Sequence, residues 1–318
     1  MGEPTVASEF GAIARIAARL AAASGTAPDG ELWIGDDAAL VVIGGATVVA
    51  AADAVVAGVH ADLSLTSVAD LGWKALAVNV SDLAAMGCVA QMALVTVSGP
   101  PGTDLDELYE GLAAASAMFS CPIVGGDLTS ASTLVVSVSV LGNATVAPPP
   151  VTRSWASVGD EVWVSGPLGA AAAGLGALRA QAAGGAPADA GLVRAHARPV
   201  ARVGEGVAAR ELGATAMIDI SDGFAADLGH ILDASEVGVE LDAMAVADGA
   251  TLADALHGGD DYELVWCAPT GSGVSAGFRA RGLRAPMLLG RCTADGSRRT
   301  LRGAPLGAHG WQHDIGHP

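Results

Sequence analysis

The run Ala147-Pro148-Pro149-Pro150 constrains this chain more than any other four residues. Proline fixes its own φ and donates no backbone hydrogen bond, so neither a helix nor a central strand can pass through three in succession. A segment this stiff sets a boundary between two domains, residues 1–147 and 148–318. The length of 318 residues agrees with two units. With 51% hydrophobic and 16% charged residues, the chain can build a true core and is too apolar to be disordered.

On both sides of the boundary, helix-period and strand-period patterns alternate. The first half predicts a helix over Glu9–Ala23 with Ser8 as cap, then strands at Ala39–Ile43 and Thr47–Ala52. Ser67-x-x-Asp70 reads as a capping box opening a helix to about Met86. A strand at Gln91–Ser98, a helix at Asp104–Phe119, a short strand at Pro122–Val124 and a long β-run at Thr133–Leu141 follow. The second half predicts strands at Glu161–Ser165, Thr215–Ile220, Val237–Leu241, Tyr262–Cys267 and Met287–Gly290. Helices are predicted between them at Ala170–Ala183, Val200–Leu212 and Ala225–Ala234. Strands alternating with helices imply an α/β fold in both halves.

The mean hydropathy of +0.46 raises the question of a membrane. The stretch from Ala38 to Val59 is long enough to span one, with Asp53 as its only charge. It is rich in alanine and glycine, however, and Gly44-Gly45 stands in its middle. An aspartate near the bilayer centre adds roughly 2.5–3.5 kcal/mol. Two buried strands joined by a Gly-Gly turn explain the stretch better. The N-terminus has no basic region ahead of an apolar run, and the four cysteines form no C-x-x-C pair. The expectation is a soluble cytoplasmic protein with reduced, mostly buried thiols.

Aspartates recur at the ends of apolar runs, mostly beside glycine or serine. These are Gly35-Asp36-Asp37, Asp53, Asn79-x-Ser81-Asp82, Gly125-Gly126-Asp127, Asp219-x-Ser221-Asp222-Gly223 and Gly258-Gly259-Asp260-Asp261. Any one of them is best read as a turn or helix cap. Six together point to one shared site, because open α/β sheets collect ligands at strand ends. Two carboxylates about 4 Å apart repel by about 4 kcal/mol at an effective dielectric of 20, so such a group needs protons or cations. Oxygen donors without a His–Cys cluster favour Mg²⁺ over zinc, and Mg²⁺ held by a few carboxylates commonly bridges substrate phosphates.

A net charge of −18 excludes nucleic acid and anionic membranes as partners and makes an anionic nucleotide depend on metal or local cations. No G-x-x-x-x-G-K-[ST] occurs, and the protein-kinase catalytic-loop and D-F-G motifs are absent. The only lysine, Lys74, lies in a predicted helix beside Trp73, where both read as structural. Gly166-Pro167-Leu168-Gly169 ahead of a helix offers backbone N–H groups to an anion, a weak signal.

In order along nearly the whole chain, these motifs resemble one family. Glu9-Phe10-Gly11, Gly35-Asp36-Asp37-Ala38, Gly58-Val59-His60, Lys74 to Gly87, Gly125-Gly126-Asp127, Thr152-Arg153-Ser154, Asp219 to Gly223, Asp227 to Ile231 and Gly259 to Leu264 look like thiamine-monophosphate kinase, of the aminoimidazole-ribonucleotide-synthetase-like superfamily. The resemblance implies ATP-dependent phosphorylation of thiamine monophosphate with Mg²⁺. It also implies an N-terminal α/β domain pairing its sheet across a homodimer, with the alternating β-run Thr133–Leu141 as a candidate for pairing across the interface, and a C-terminal α/β domain. Position by position, it implies Asp37, Asp53, Asp82, Asp127, Asp219 and Asp222 as metal ligands. Tyr109, Gly126, Arg153 and Ser221 match ATP contacts; His60, Asp260 and Trp311 match contacts to thiamine phosphate. The chain departs from the family where Ala51-Ala52 replace hydroxyl residues and where Leu128-Thr129-Ser130 lacks an arginine. The alternatives are a catalytically impaired nucleotide-binding homologue or another synthetase of the superfamily.

Overall fold

The computed structural model describes residues 9–144, 147–307 and 309–311; Ser8, read as a helix cap, lies outside them. The first half runs α1 (Glu9–Ser24), β1 (Ala39–Ile43), β2 (Ala46–Val56), α2 (Val68–Ala85), β3 (Val89–Gly99), α3 (Leu105–Phe119), β4 (Ile123–Ser130) and β5 (Val135–Asn143). Its five strands order as β1-β2-β5-β3-β4, and only β3–β4 is parallel. Burial along β5 alternates residue by residue, with Val136, Val138 and Val140 fully buried, as expected of a strand with one face on a core. Helices α2 and α3 meet at glycine: a Cβ on Gly111 would stand 1.8 Å from the Ala69 carbonyl oxygen.

The predicted capping box at Ser67 and Asp70 forms, and α2 is buried on nearly every side. A helix apolar all round belongs in an interior. This one lies in the seam of the molecule, touching β2, β5 and α3 of the first half and α5, α6 and β7 of the second.

The second half comprises β6 (Glu161–Val164), α4 (Ala170–Ala182), α5 (Ala190–Ala197), α6 (Val203–Glu211), β7 (Ala216–Asp219), α7 (Phe224–Ser235), β8 (Gly238–Leu241), α8 (Leu252–His257), β9 (Leu264–Ala268), α9 (Val274–Ala280), β10 (Met287–Thr293), β11 (Arg299–Leu301) and β12 (Ala304–Pro305). Its seven strands order as β12-β11-β8-β10-β6-β9-β7, antiparallel except for β8–β11. Successive residues serve opposite faces. Val162, Val164, Ile218, Val265 and Cys267 join α7 and α8 in one core, while Trp163, Met217, Leu264 and Trp266 join α6 and α9 in another. Helices therefore cover both faces, and the expected α/β class holds in both halves.

Several details differ from the sequence reading. Gly44-Gly45 does turn a hairpin, but its first strand is an exposed edge, with Val42 46% and Ile43 60% accessible. The β-run expected to pair across a dimer is internal: β5 bonds to β2 on one side and β3 on the other. Helices α5, α8 and α9, with eight, six and seven residues, are too short to show a periodic stripe. All four cysteines are buried and free. Among the described residues, no helix is long and apolar enough to cross a membrane.

Candidate active site

Three carboxylates from distant parts of the chain converge at the seam. Asp37 precedes β1, Asp82 lies in the last turns of α2, and Asp219 ends β7. Each offers an oxygen within 4.8 Å of the others. Their supports explain the approach. The Ser81 hydroxyl donates to Asp219 Oδ2 at 2.5 Å, tying α2 to the second sheet. Arg153, just after the proline run, donates from its guanidinium to Asp37 Oδ1 at 2.5 Å and from its backbone N–H to Asp36 Oδ2 at 2.9 Å. The linker residue thus clamps the first-half aspartates against the second half.

Negative charge is held there against its own repulsion. Burial, then Asp37, pushes Asp219 up to about 8. Burial pushes Asp82 well above the usual carboxylate range, reinforced by Asp53, Asp219 and Asp37. Burial raises Asp37 too, with Arg153 pulling the other way. Burial and then Asp37 move Asp36 to about 6. Both forces disfavour the anions, so the group needs a proton or an external cation near neutral pH. Asp37 Oδ2 is buried and has no hydrogen-bond partner among the described residues. An all-oxygen donor set with an orphaned carboxylate oxygen fits a hard divalent cation such as Mg²⁺.

The other predicted residues take varied positions. Asp53 is exposed on β2, its N–H bonded to Asn79 Oδ1 at 2.8 Å, and its charge reaches Asp82 and Asp219. Asp127 stands exposed on β4 opposite Thr96, outside the three-carboxylate group. Its neighbour Gly126 has φ 156°, and a Cβ there would lie 1.7 Å from the Val95 carbonyl oxygen, so only glycine fits. Tyr109 is 36% exposed on α3, not part of the core.

The loop after Asp219 is zipped to the Gly259–Glu263 segment. Ile220 N–H donates to Glu263 O, Asp260 N–H to Ser221 O and Tyr262 N–H to Ile220 O, all within 2.7–2.9 Å. Asp227 accepts the N–H groups of Asp222 and Gly223 at 3.1 Å each. The Asp222 carbonyl accepts the Trp311 N–H at 3.0 Å, which brings Trp311, 55% exposed, to the rim. His60 accepts the Val56 N–H on Nδ1 at 2.9 Å.

Two features escaped the sequence reading. Lys74, taken there as structural, is paired with Asp260 at 2.8 Å; its being the chain's one lysine was the available signal. In the Gly166–Gly169 turn the Leu168 N–H goes to the Ala245 carbonyl and the Gly169 N–H to Asp261 at 2.7 Å, which also accepts the Ala171 N–H at 3.4 Å, so these amides are already taken from within the protein. That aspartate was read only as part of the acidic run.

Comparison with known proteins places this arrangement in context. Residues 35–144 match the AIR synthase related protein, N-terminal domain, and residues 157–300 the AIR synthase related protein, C-terminal domain. The thiamine-monophosphate kinase of Mycobacterium tuberculosis is 38% identical over 264 residues, covering 78% of this chain and 77% of that protein. Among solved structures, AaThiL complexed with AMPPCP and TMP aligns with a TM-score of 0.83 at 27% identity, over 98% of this chain and 99% of its own. The thiamine-monophosphate kinase of Stenotrophomonas maltophilia K279a aligns at 0.73 and 33% identity, over 93% and 97%.

Proposed function

The chain belongs to the thiamine-monophosphate kinases of the AIR synthase related family, and from that premise we propose that it transfers the γ-phosphate of ATP to thiamine monophosphate, giving thiamine diphosphate and ADP. The observation that carries this reading is the convergence of Asp37, Asp82 and Asp219 within 4.8 Å, with Asp37 Oδ2 unpartnered. A related structure was solved with AMPPCP and TMP, the same pair of ligand types.

In the reaction, a phosphate oxygen of thiamine monophosphate bonds to the γ-phosphorus of ATP as the bond to the β,γ-bridging oxygen breaks. No protein nucleophile is required, so the work is positioning and neutralising charge. Asp37, Asp82 and Asp219 would hold Mg²⁺, with Asp53, Asp127 and Asp222 as the further carboxylates assigned to metal by family position. Bound Mg²⁺ supplies the positive charge that offsets the phosphates in a chain of net charge −18. Arg153, kept cationic by Asp37 and Asp36 against its burial, presents a guanidinium to the nucleotide phosphates. Tyr109, Gly126 and Ser221 are assigned to the nucleotide, and His60, Asp260 and Trp311 to thiamine monophosphate.

We further propose a homodimer formed through the first sheet. Val124 and Leu128 of the edge strand β4 are each 57% exposed, and Met92 and Leu94 of β3 are 40% and 44% exposed. An uncovered apolar surface of this kind, running to the edge strand β4, is a liability unless a second copy covers it. The cytoplasm is the assigned compartment, supported by four unpaired buried thiols.

The deciding experiment measures ADP release with and without thiamine monophosphate and identifies thiamine diphosphate by chromatography. ADP formation that requires thiamine monophosphate and matches diphosphate formation is the expected result. ATP binding without turnover would identify an impaired homologue, consistent with Ala51 and Ala52 lacking hydroxyls.

A further inference from the structure

Lys74 is the single lysine among 318 residues, and its side chain is only 3% exposed. Its ammonium group donates to Asp260 Oδ2 at 2.8 Å and to the His60 carbonyl oxygen at 3.2 Å. It therefore joins three separate pieces: helix α2, the turn carrying His60 and the loop carrying Asp260. The backbone of the Asp260 loop is bonded to Ile220 and Ser221, and Asp260 and Tyr262 both adopt left-handed φ, 62° and 49°. Non-glycine residues in that region persist only where their surroundings hold them.

The two oxygens of Asp260 are used unequally. Oδ2 is shared by Lys74 and, at 3.8 Å, His196 Nδ1. Burial, then the charge of Lys74, pushes His196 down to about 4, so the imidazole is neutral at physiological pH and the cation on Oδ2 is Lys74 alone. Among the described residues Oδ1 has only a 3.4 Å contact with the Tyr262 hydroxyl, and the Asp260 side chain is 32% exposed. One oxygen is thus anchored from inside the protein and the other is left for a ligand.

We propose that Lys74 is a positioning residue for the phosphoryl acceptor, fixing Asp260 and the His60 turn so that Asp260 Oδ1 meets a cationic or N–H-bearing ring. This rests on the acceptor reading of the preceding subsection, in which Asp260 and His60 face thiamine monophosphate. Among the described residues Asp260 is the one carboxylate within ion-pair reach of this buried helix lysine, and loss of the lysine would release the Asp260 carboxylate from its anchor.

The test is steady-state kinetics on the full chain for Lys74→Met, Lys74→Arg, Asp260→Asn and the Lys74→Met/Asp260→Asn double variant. Lys74→Met is expected to raise the KM for thiamine monophosphate roughly tenfold while the KM for Mg-ATP stays within about twofold. The double variant should be no worse than the worse single one, since both changes break one unit, and Lys74→Arg should recover part of the loss. Equal changes in both KM values, or a drop in thermal stability alone, would overturn the proposal by showing a structural role.

If Lys74→Met does not fold, selective ε-¹³C-lysine labelling of the unaltered protein gives one lysine resonance. That resonance is expected to move on saturation with thiamine monophosphate and to stay in place with Mg-ATP; an unmoved resonance refutes the role. Absence of turnover by the unaltered protein removes the acceptor reading and this role together. Turnover with an unchanged acceptor KM in foldable variants removes this role only.

Discussion

Raising the pH of the metal-free protein is expected to weaken it across a range where most proteins are indifferent. Asp219 moves from 3.8 to about 8 on folding. The folded chain then keeps a proton that the unfolded chain has released, so this group's share of stability is complete below about pH 4 and is lost as pH rises to about 8. One retained proton corresponds to ~1.4 kcal/mol per pH unit. Two histidines act in the opposite sense. Burial drives both His196 and His230 from 6.5 to about 4, so stability rises with pH between those values and is then level. From about pH 6.5 to 7.5 the histidines' opposing gain fades, and Asp219 removes up to ~1.4 kcal/mol, a fall in Tm of roughly 2–5 °C. Asp261, raised to about 7 mainly by burial, adds slope to the lower half of this range but lies away from the cluster. Mg²⁺ at ~100 times its dissociation constant should stabilise by about 2.7 kcal/mol at pH 7.5 and by clearly less at pH 5.5, where protons compete. The assay is thermal denaturation after EDTA treatment at three pH values, with and without added Mg²⁺. Asp82→Asn, which removes one charge and keeps the shape, should flatten the slope and shrink the Mg²⁺ gain. A metal-free Tm that does not fall from pH 6.5 to 7.5, or an equal Mg²⁺ gain at pH 5.5 and 7.5, would refute the reasoning.

Asp82→Asn and Asp127→Asn should each lower turnover by several orders of magnitude in the coupled assay while the metal-free protein stays folded; near-normal activity in either removes it from the metal set. Trp311→Ala should weaken thiamine monophosphate by roughly 2- to 30-fold, the range of a lost cation–π contact, and leave Mg-ATP affinity unchanged in titrations of both ligands. Light scattering should give twice the 31.2 kDa chain mass; Leu128→Glu, which puts a charge on the exposed edge of β4, should shift the mass toward one chain, and a single-chain mass for the unaltered protein rules the dimer out.

How much of this was legible in the sequence depended on length scale. The long helix from Ser67 was readable to its capping box, because its cap and its packing agree. Asp37, Asp82 and Asp219 were marked as candidates by their places at element ends, but the sequence did not say which of six acidic sites would meet. Their meeting depends on α2 lying between the sheets, a tertiary fact with no local signature. Asp127 shows the difference: its Gly-Gly-Asp context resembles the others, yet β4 is the outer strand and leaves it exposed. The run Thr133–Leu141, a candidate edge in the sequence, forms the internal strand β5, because alternation marks a strand without telling whether its backbone edge is free. The ion pair of Lys74 was not legible for a related reason, since its partner Asp260 is 186 residues away in sequence.

Alanine in α2 does more than raise the hydropathy of the chain. Ala75, Ala77, Ala84 and Ala85 have at most 1% of their surface exposed, and α6 comes so near that a Cβ on Gly206 would stand 2.1 Å from the Ala84 carbonyl oxygen. The helix serves as a thin spacer whose girth sets the gap between the two sheets, and hence the reach of Ser81 to Asp219. Widening it by one branched side chain would act on the carboxylate group as a shim acts on a lens mount, changing metal affinity from a position that touches no ligand. Drift toward larger residues along α2 is therefore limited by the tolerance of the site's dimensions, well before the helix itself is destabilised.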